Sequence, residues 1–188
     1  DNALSVQGAS YGVPIDWQFG TGRKAGNILW IDSFRQESEV TGDIFEYTSI
    51  AVGLCQGPKT RLLRVWADGE LIIDFTSPTG LDLLQERFGS RALIKFYPGT
   101  EDQEVDPYMA ATDEGLERLT PAYRGLCYVM LTDLLLAAGS YNPGVESFRR
   151  GLPWFEFEVS DDVEESVPYE PLPIVPEVTV PNPPENDW

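Results

Sequence analysis

The sequence predicts a β-rich α+β fold: mostly antiparallel strands and hairpins, one or two short helices, and an extended Pro-rich C-terminal arm. Three observations carry this. The 188 residues include 17 Gly and 15 Pro, which imply frequent turns. Between those turns run short apolar or alternating stretches of strand length. After Ser160 the composition shifts, with seven prolines in 168–184 set among acids and valines. We therefore divide the chain into a β-rich domain, 1–160, and an acidic Pro-rich arm or linker, 161–188.

In order, residues 1–20 read as an extended entry containing Tyr11-Gly12-Val13-Pro14. Asn27 to Phe34 reads as a strand, because Ile28, Leu29, Trp30 and Ile31 form an apolar run bounded by Gly26 and polar residues. Residues 35–43 are polar and end in the turn-like Thr41-Gly42-Asp43. Ile44 to Leu54 is a second strand, stopped by Gln56-Gly57-Pro58. Arg61 to Asp68 alternates, with Leu63, Val65 and Ala67 facing one way. Asp68-Gly69 then separates that run from Leu71-Ile72-Ile73. Asp-Gly supplies the positive φ angles of a tight hairpin.

Leu81 to Phe88 reads as a short helix, and Arg91 to Tyr97 as a strand with Leu93 inside, ended by Pro98-Gly99. Asp106 to Leu119 is the best further helix. Pro107 suits its first turn, and Tyr108, Ala111 and Gly115 share a face, although Gly115 weakens the pattern. Leu126 to Leu131 reads as a buried strand, while Asp133 to Ala138 fits helix or strand equally. Trp154 to Val159 alternates strictly and closes the domain.

Charge bounds the partners. The net charge is −18 and the pI about 4.1. That balance disfavours nucleic acid, whose phosphates repel it, and a basic membrane anchor. Residues 161–188 hold eight carboxylates and no Lys or Arg. No apolar run reaches the ~18 residues of a membrane span. The chain begins Asp1-Asn2, as a processed chain or an excerpt of a longer polypeptide does.

No histidine is present, which removes the Ser-His-Asp triad and His-ligated zinc together. Cys55 and Cys127 each lie in apolar surroundings, which favours buried thiols; a disulfide between them stays open. Asp102, Glu104 and Asp106 alternate as calcium ligands do, but Pro107 and the lack of a closing Glu spoil the loop, so a solvated loop is expected. Asp161-Asp162 and Glu164-Glu165 are a charge run entering a linker. The stretch Gly20 to Gly26 lacks the Gly-Lys-Ser/Thr ending of a phosphate loop. Trp17, Trp30, Trp66 and Trp154 could stack on sugar, but core or interface packing is the better reading. No catalytic, cofactor-binding or metal-binding residue is assigned, and no cofactor is expected.

Seven short motifs follow one another along the chain. They are Ser10-Tyr11-Gly12-Val13-Pro14-Ile15; Gly20, Gly22, Arg23, Gly26, Asn27, Ile28 and Trp30; Ile50 to Pro58; Arg64 to Leu71; Phe96-Tyr97-Pro98-Gly99-Thr100-Glu101-Asp102-Gln103; Pro121 to Leu126; and Pro153 to Val159. In this order, over roughly 4–160, the chain resembles the phage tail-tip hub family of long-tailed phages and gene transfer agents. It departs at Asp16, in the charged 35–43, in a long Ala138 to Arg150 and in the acidic arm. The resemblance implies a non-enzymatic structural protein of the virion, in the tail-tip or baseplate hub at the distal end of the tail tube. It implies partners among tail proteins (distal tail protein, hub subunits, fibres) and a homo-oligomer, typically a trimer in that family. The alternative reading is a carbohydrate-binding or glycan-degrading module of a cell-surface or tail-associated protein.

Overall fold

Two antiparallel sheets share one strand path. β1 (Gly22–Ala25) lies in a four-stranded sheet, and β2 (Asn27–Ile31) in a larger one, with Gly26 between them. A Cβ at Gly26 would sit 2.8 Å from the Gly53 carbonyl oxygen, so only glycine lets the chain cross there. The computed structural model describes residues 15–38, 43–77, 80–114, 119–140, 148–149 and 151–161. Tyr11 to Pro14, the Thr41-Gly42 turn, Gly115 and the arm beyond Asp161 lie outside the described residues.

The remaining elements are β3 (Arg35–Ser38), β4 (Asp43–Gln56), β5 (Arg61–Ala67), β6 (Glu70–Asp74), α1 (Asp82–Phe88), β7 (Leu93–Tyr97), α2 (Pro107–Glu114), β8 (Leu126–Ser140), β9 (Phe148–Arg149) and β10 (Phe155–Ser160). The smaller sheet has the order β1-β10-β5-β6 and the larger one β2-β4-β8-β7, with β3 on β4 and β9 on β8. All pairings between named strands are antiparallel. The β-rich α+β class with two short helices is what the turn-rich composition predicts.

The main core lies between the sheets. It takes Ile50, Val52 and Leu54 from β4, Val129 and Leu131 from β8, and Phe155, Phe157 and Val159 from β10; Leu84 and Phe88 of α1 close it. A second cluster forms on the other face of the larger sheet, where Ala51, Tyr128, Met130 and Tyr97 meet Met109 of α2. The larger sheet is thus covered on both faces. That is why residues 48–55 of β4 are buried without alternation.

Several expectations are corrected. Residues 35–38, for which the polar sequence suggested no element, are a strand, and Gln36 and Glu46 pair across β3 and β4. The side chains of Leu62, Val65 and Ala67 face the core, not those of Leu63, Val65 and Ala67. A register shift between Glu158 and Val159 of β10 sets Leu62, not Leu63, opposite Val159. In β7, Ile94 is buried and Leu93 is exposed. α2 buries Met109 and Asp113, whereas Ala111 of the expected face is exposed. Leu126 to Ser140 is one long strand, and Asp133, at φ 54°, marks the irregularity that masked its second half.

Candidate functional site

Three of the resemblance motifs, 50–58, 96–103 and 121–126, meet at one end of the fold. Gln56 ends β4, and Gly57 and Lys59 follow it. The Gly57 N–H donates to the Gly125 carbonyl at 2.9 Å, and the Lys59 N–H to the Pro98 carbonyl at 2.8 Å. The Gln56 N–H donates to the Asp16 carbonyl at 3.0 Å. Three loops distant in sequence are thereby tied to the chain entry.

Gln103 is the hub of this end. Only 5% exposed, it accepts the Gly99 N–H on Oε1 at 2.8 Å. Its Nε2 donates to the carbonyls of Ala122 (3.0 Å), Tyr123 (2.9 Å) and Leu126 (3.3 Å). The Arg124 Nε returns a bond to the Gln103 carbonyl at 3.1 Å. Both ends of the amide are used, so the loop 98–103 and the loop 121–126 hold each other. Gly99 sits at φ 87°, and a Cβ there would meet the Cys127 nitrogen at 2.7 Å. Glycine is required on both counts.

The expected solvated acidic loop is therefore only partly solvated. Glu101, Asp102 and Glu104 are exposed, but Asp106 is 2% exposed. Its Oδ1 accepts the Met109 N–H at 3.0 Å, capping α2, and its Oδ2 accepts the Tyr97 hydroxyl. Burial, reinforced by Asp106, pushes the Tyr97 phenol well above its usual range. Tyr97 stacks on Tyr128 with ring centroids 4.3 Å apart. Among the described residues no cluster of His, Cys, Asp or Glu is arranged to hold a metal ion.

Chain entry and chain exit meet beside this end. Lys59, 3% exposed, donates from Nζ to the Gln18 carbonyl and to Asp161 Oδ2 at 2.9 Å. Lys59 holds the Asp161 carboxyl below the usual carboxylate range. Trp17 and Phe19 flank the junction at 63% and 83% exposure. Trp154, the other exposed tryptophan among the described residues, bonds through its backbone to Asp68 at the β5–β6 hairpin. Trp30 and Trp66 are half-buried: the indole N–H of Trp30 reaches Asp113 at 3.0 Å, and the Arg23 guanidinium lies over Trp66 at 3.8 Å.

A polar cluster unforeseen in the sequence lies on the α2 side of the larger sheet. Arg35 bonds Asp133 at 2.6 Å and Glu37 at 3.0 Å. The Tyr108 hydroxyl lies 3.2 Å from Asp32 and 3.1 Å from Ser49. Asp133 pushes the Arg35 guanidinium still higher than usual, so this cation is permanent. The only signal for it in the sequence was the charge of 35–38. These groups satisfy one another and tie β3, α2 and the β8 irregularity together.

Cys55 and Cys127 face each other across β4 and β8 as free, fully buried thiols. The hydrogen bond between them, then burial, pushes the Cys127 thiol up.

No protein-family model matches the sequence, and no curated protein does either. Among solved structures, the chain is similar to one from the virion of a native gene transfer agent particle. The two are 34% identical, with a TM-score of 0.53, over 80% of this chain and 27% of that one. The chain thus spans about a quarter of the length of the solved chain it matches. This likeness supports a structural component of a phage-like particle.

Proposed function

We propose that this chain is a structural module of the tail tip or baseplate hub of a phage-like particle, acting in assembly at the distal end of the tail tube. The observation that carries the reading is the 34% identity to a gene transfer agent virion chain across 80% of this one. The meeting of the 50–58, 96–103 and 121–126 motifs at one end of the fold supports it, since their backbones and Gln103 bind one another into one platform. Its proposed partners are a distal tail protein, further hub subunits in a homo-oligomer and tail fibres. Trp17 and Phe19 lie on the face we assign to such contacts. Residues beyond Asp161 serve as an acidic arm that reaches a neighbouring subunit.

The module works without catalysis, cofactor or metal. Glycan binding, the rival reading, would use Trp17 and Trp154. These flank opposite ends of β5, about 20 Å apart by strand rise, so they form no common sugar platform. The test is purification of the tagged full chain with its particle proteins. Co-purification with tail proteins, in a species larger than the 21.0 kDa monomer, is the expected result. A monomer that binds glycans and no tail protein overturns the reading. Turnover of peptidoglycan or polysaccharide, lost on a single Asp or Glu substitution, overturns its non-catalytic part.

A further inference from the structure

An irregularity in β4 brings Cys55 and Cys127 together. Gly53 stands opposite Tyr128 of β8, whereas Cys55 stands opposite Cys127, so Leu54 is one extra residue in β4. In a regular register Leu54 would face Cys127, and Cys55 would turn to the other side of the sheet. With the extra residue, Leu54, Cys55 and Cys127 all lie in the core between the sheets. Directly opposed side chains have Cβ atoms about 4.5–5.5 Å apart, and a disulfide takes about 3.5–4.5 Å. A small approach of the two strands therefore suffices to join the sulfurs.

The surroundings divide the roles. The hydrogen bond from Cys127, and behind it the Lys59 and Lys24 cations, lower the Cys55 thiol against burial and the Asp161 charge. The Cys127 thiol is pushed up and keeps its proton. One sulfur is thus prepared as a nucleophile, and the other as the thiol that resolves it. Their place in the fold gives a bond between them a consequence. Cys55 is next to last in β4, and Cys127 is second in β8. Gly57, two residues beyond Cys55, bonds Gly125, and the Leu126 carbonyl beside Cys127 accepts from Gln103.

We infer that Cys55 and Cys127 form a modification site, at which a small peroxide makes a disulfide that staples β4 to β8 beneath the platform. The Cys55 thiolate attacks one oxygen of hydrogen peroxide, the O–O bond breaks, and hydroxide leaves to be protonated to water. The resulting sulfenic acid is attacked by the Cys127 sulfur; its S–O bond breaks, and the hydroxyl leaves with the Cys127 proton as a second water. Two electrons pass from the sulfur pair to the peroxide. Both sulfurs are fully buried, so an oxidant close to water in size reaches them where a larger thiol reagent does not. The cytosol keeps such a pair as thiols, and the exterior that a released particle meets permits the bridge. Only that timing rests on the particle reading above.

The test is the intact mass of the reduced full chain after hydrogen peroxide treatment under native conditions. The peroxide is removed with catalase, and the chain is denatured in an alkylating reagent. The expected product lies about 2 Da below the thiol form with neither cysteine labelled, and reduction restores both labels. The bridged chain should melt about 5 °C higher or more, a shift that Cys55→Ser and Cys127→Ser should not show after the same treatment. Two labelled cysteines, after a treatment that fully oxidises free glutathione, overturn the inference. So does a gain of about 16 or 32 Da at either cysteine in place of the loss, or a disulfide between chains. A bridge that leaves the melting temperature unchanged overturns its role as a staple. No readout depends on whether the chain joins a tail tip, so failure here leaves that reading standing, and failure of that reading removes only the timing.

Discussion

The Gln103 Nε2 lies 2.9 Å from the Tyr123 carbonyl oxygen, and this bond joins two loops that contain no other buried polar side chain between Pro98 and Glu104 or between Pro121 and Leu126. Substituting Gln103 by Ala would strand the Gly99 N–H and remove a donor from the carbonyls of Ala122, Tyr123 and Leu126, of which Tyr123 keeps the Leu126 N–H. The expected loss is about 2–4 kcal/mol of stability, read from a denaturant midpoint. Gln103→Glu keeps the acceptor but sets a carboxylate against three carbonyls, so it should not rescue the loss. A midpoint unchanged in both variants would remove Gln103 from its central place.

Asp68 and Gly69 take φ 52° and 81°, the left-handed pair that a two-residue hairpin between β5 and β6 needs. Nothing lies within 4 Å of a Cβ built on Gly69, so substitution there meets only backbone strain. Gly69→Val should therefore cost about 1 kcal/mol or more without changing the m-value. Chemical denaturation of the variant checks this.

The Lys59–Asp161 pair gives the acid limb of the stability curve a defined sign. Lys59 lowers the Asp161 carboxyl in the folded state, so the pair's stabilisation is present above the unfolded carboxylate value of about 3.9. It fades as pH falls through the lower folded value. Asp161→Asn should lower the melting temperature at pH 7, and the difference from the parent should shrink below about pH 4. A difference that persists unchanged into acid would mean that the carboxylate is not what matters at 161.

Cys55 and Cys127 are buried and free, so neither should react with a thiol reagent in the folded chain, and both should react after denaturation without reductant. A mass 2 Da below the thiol form before reduction would show the disulfide that the sequence left open.

Much of the fold was legible because its signals are local. The Asp68-Gly69 turn, the strict alternation of Phe155 to Val159 and the short helix ending at Phe88 each follow from a few neighbouring residues. What was not legible depended on distant partners. Leu62 replaces Leu63 in the core because of a register shift involving β10, nearly a hundred residues away. β3 is a strand only because β4 extends far enough to pair with it. β8 hides its length behind Asp133, whose positive φ and Arg35 partner no local pattern announces. Gln103 and Asp106 looked like members of a wet acidic loop because burial by 121–126 and α2 is a tertiary fact.

The most direct test of the central claim is electron microscopy of purified particles that carry a labelled copy of this chain. The account predicts label at one end of the tail, distal to the head, in particles whose tails are otherwise normal. Particles that lack the label, or that carry it on the head or along the tail tube, would contradict it.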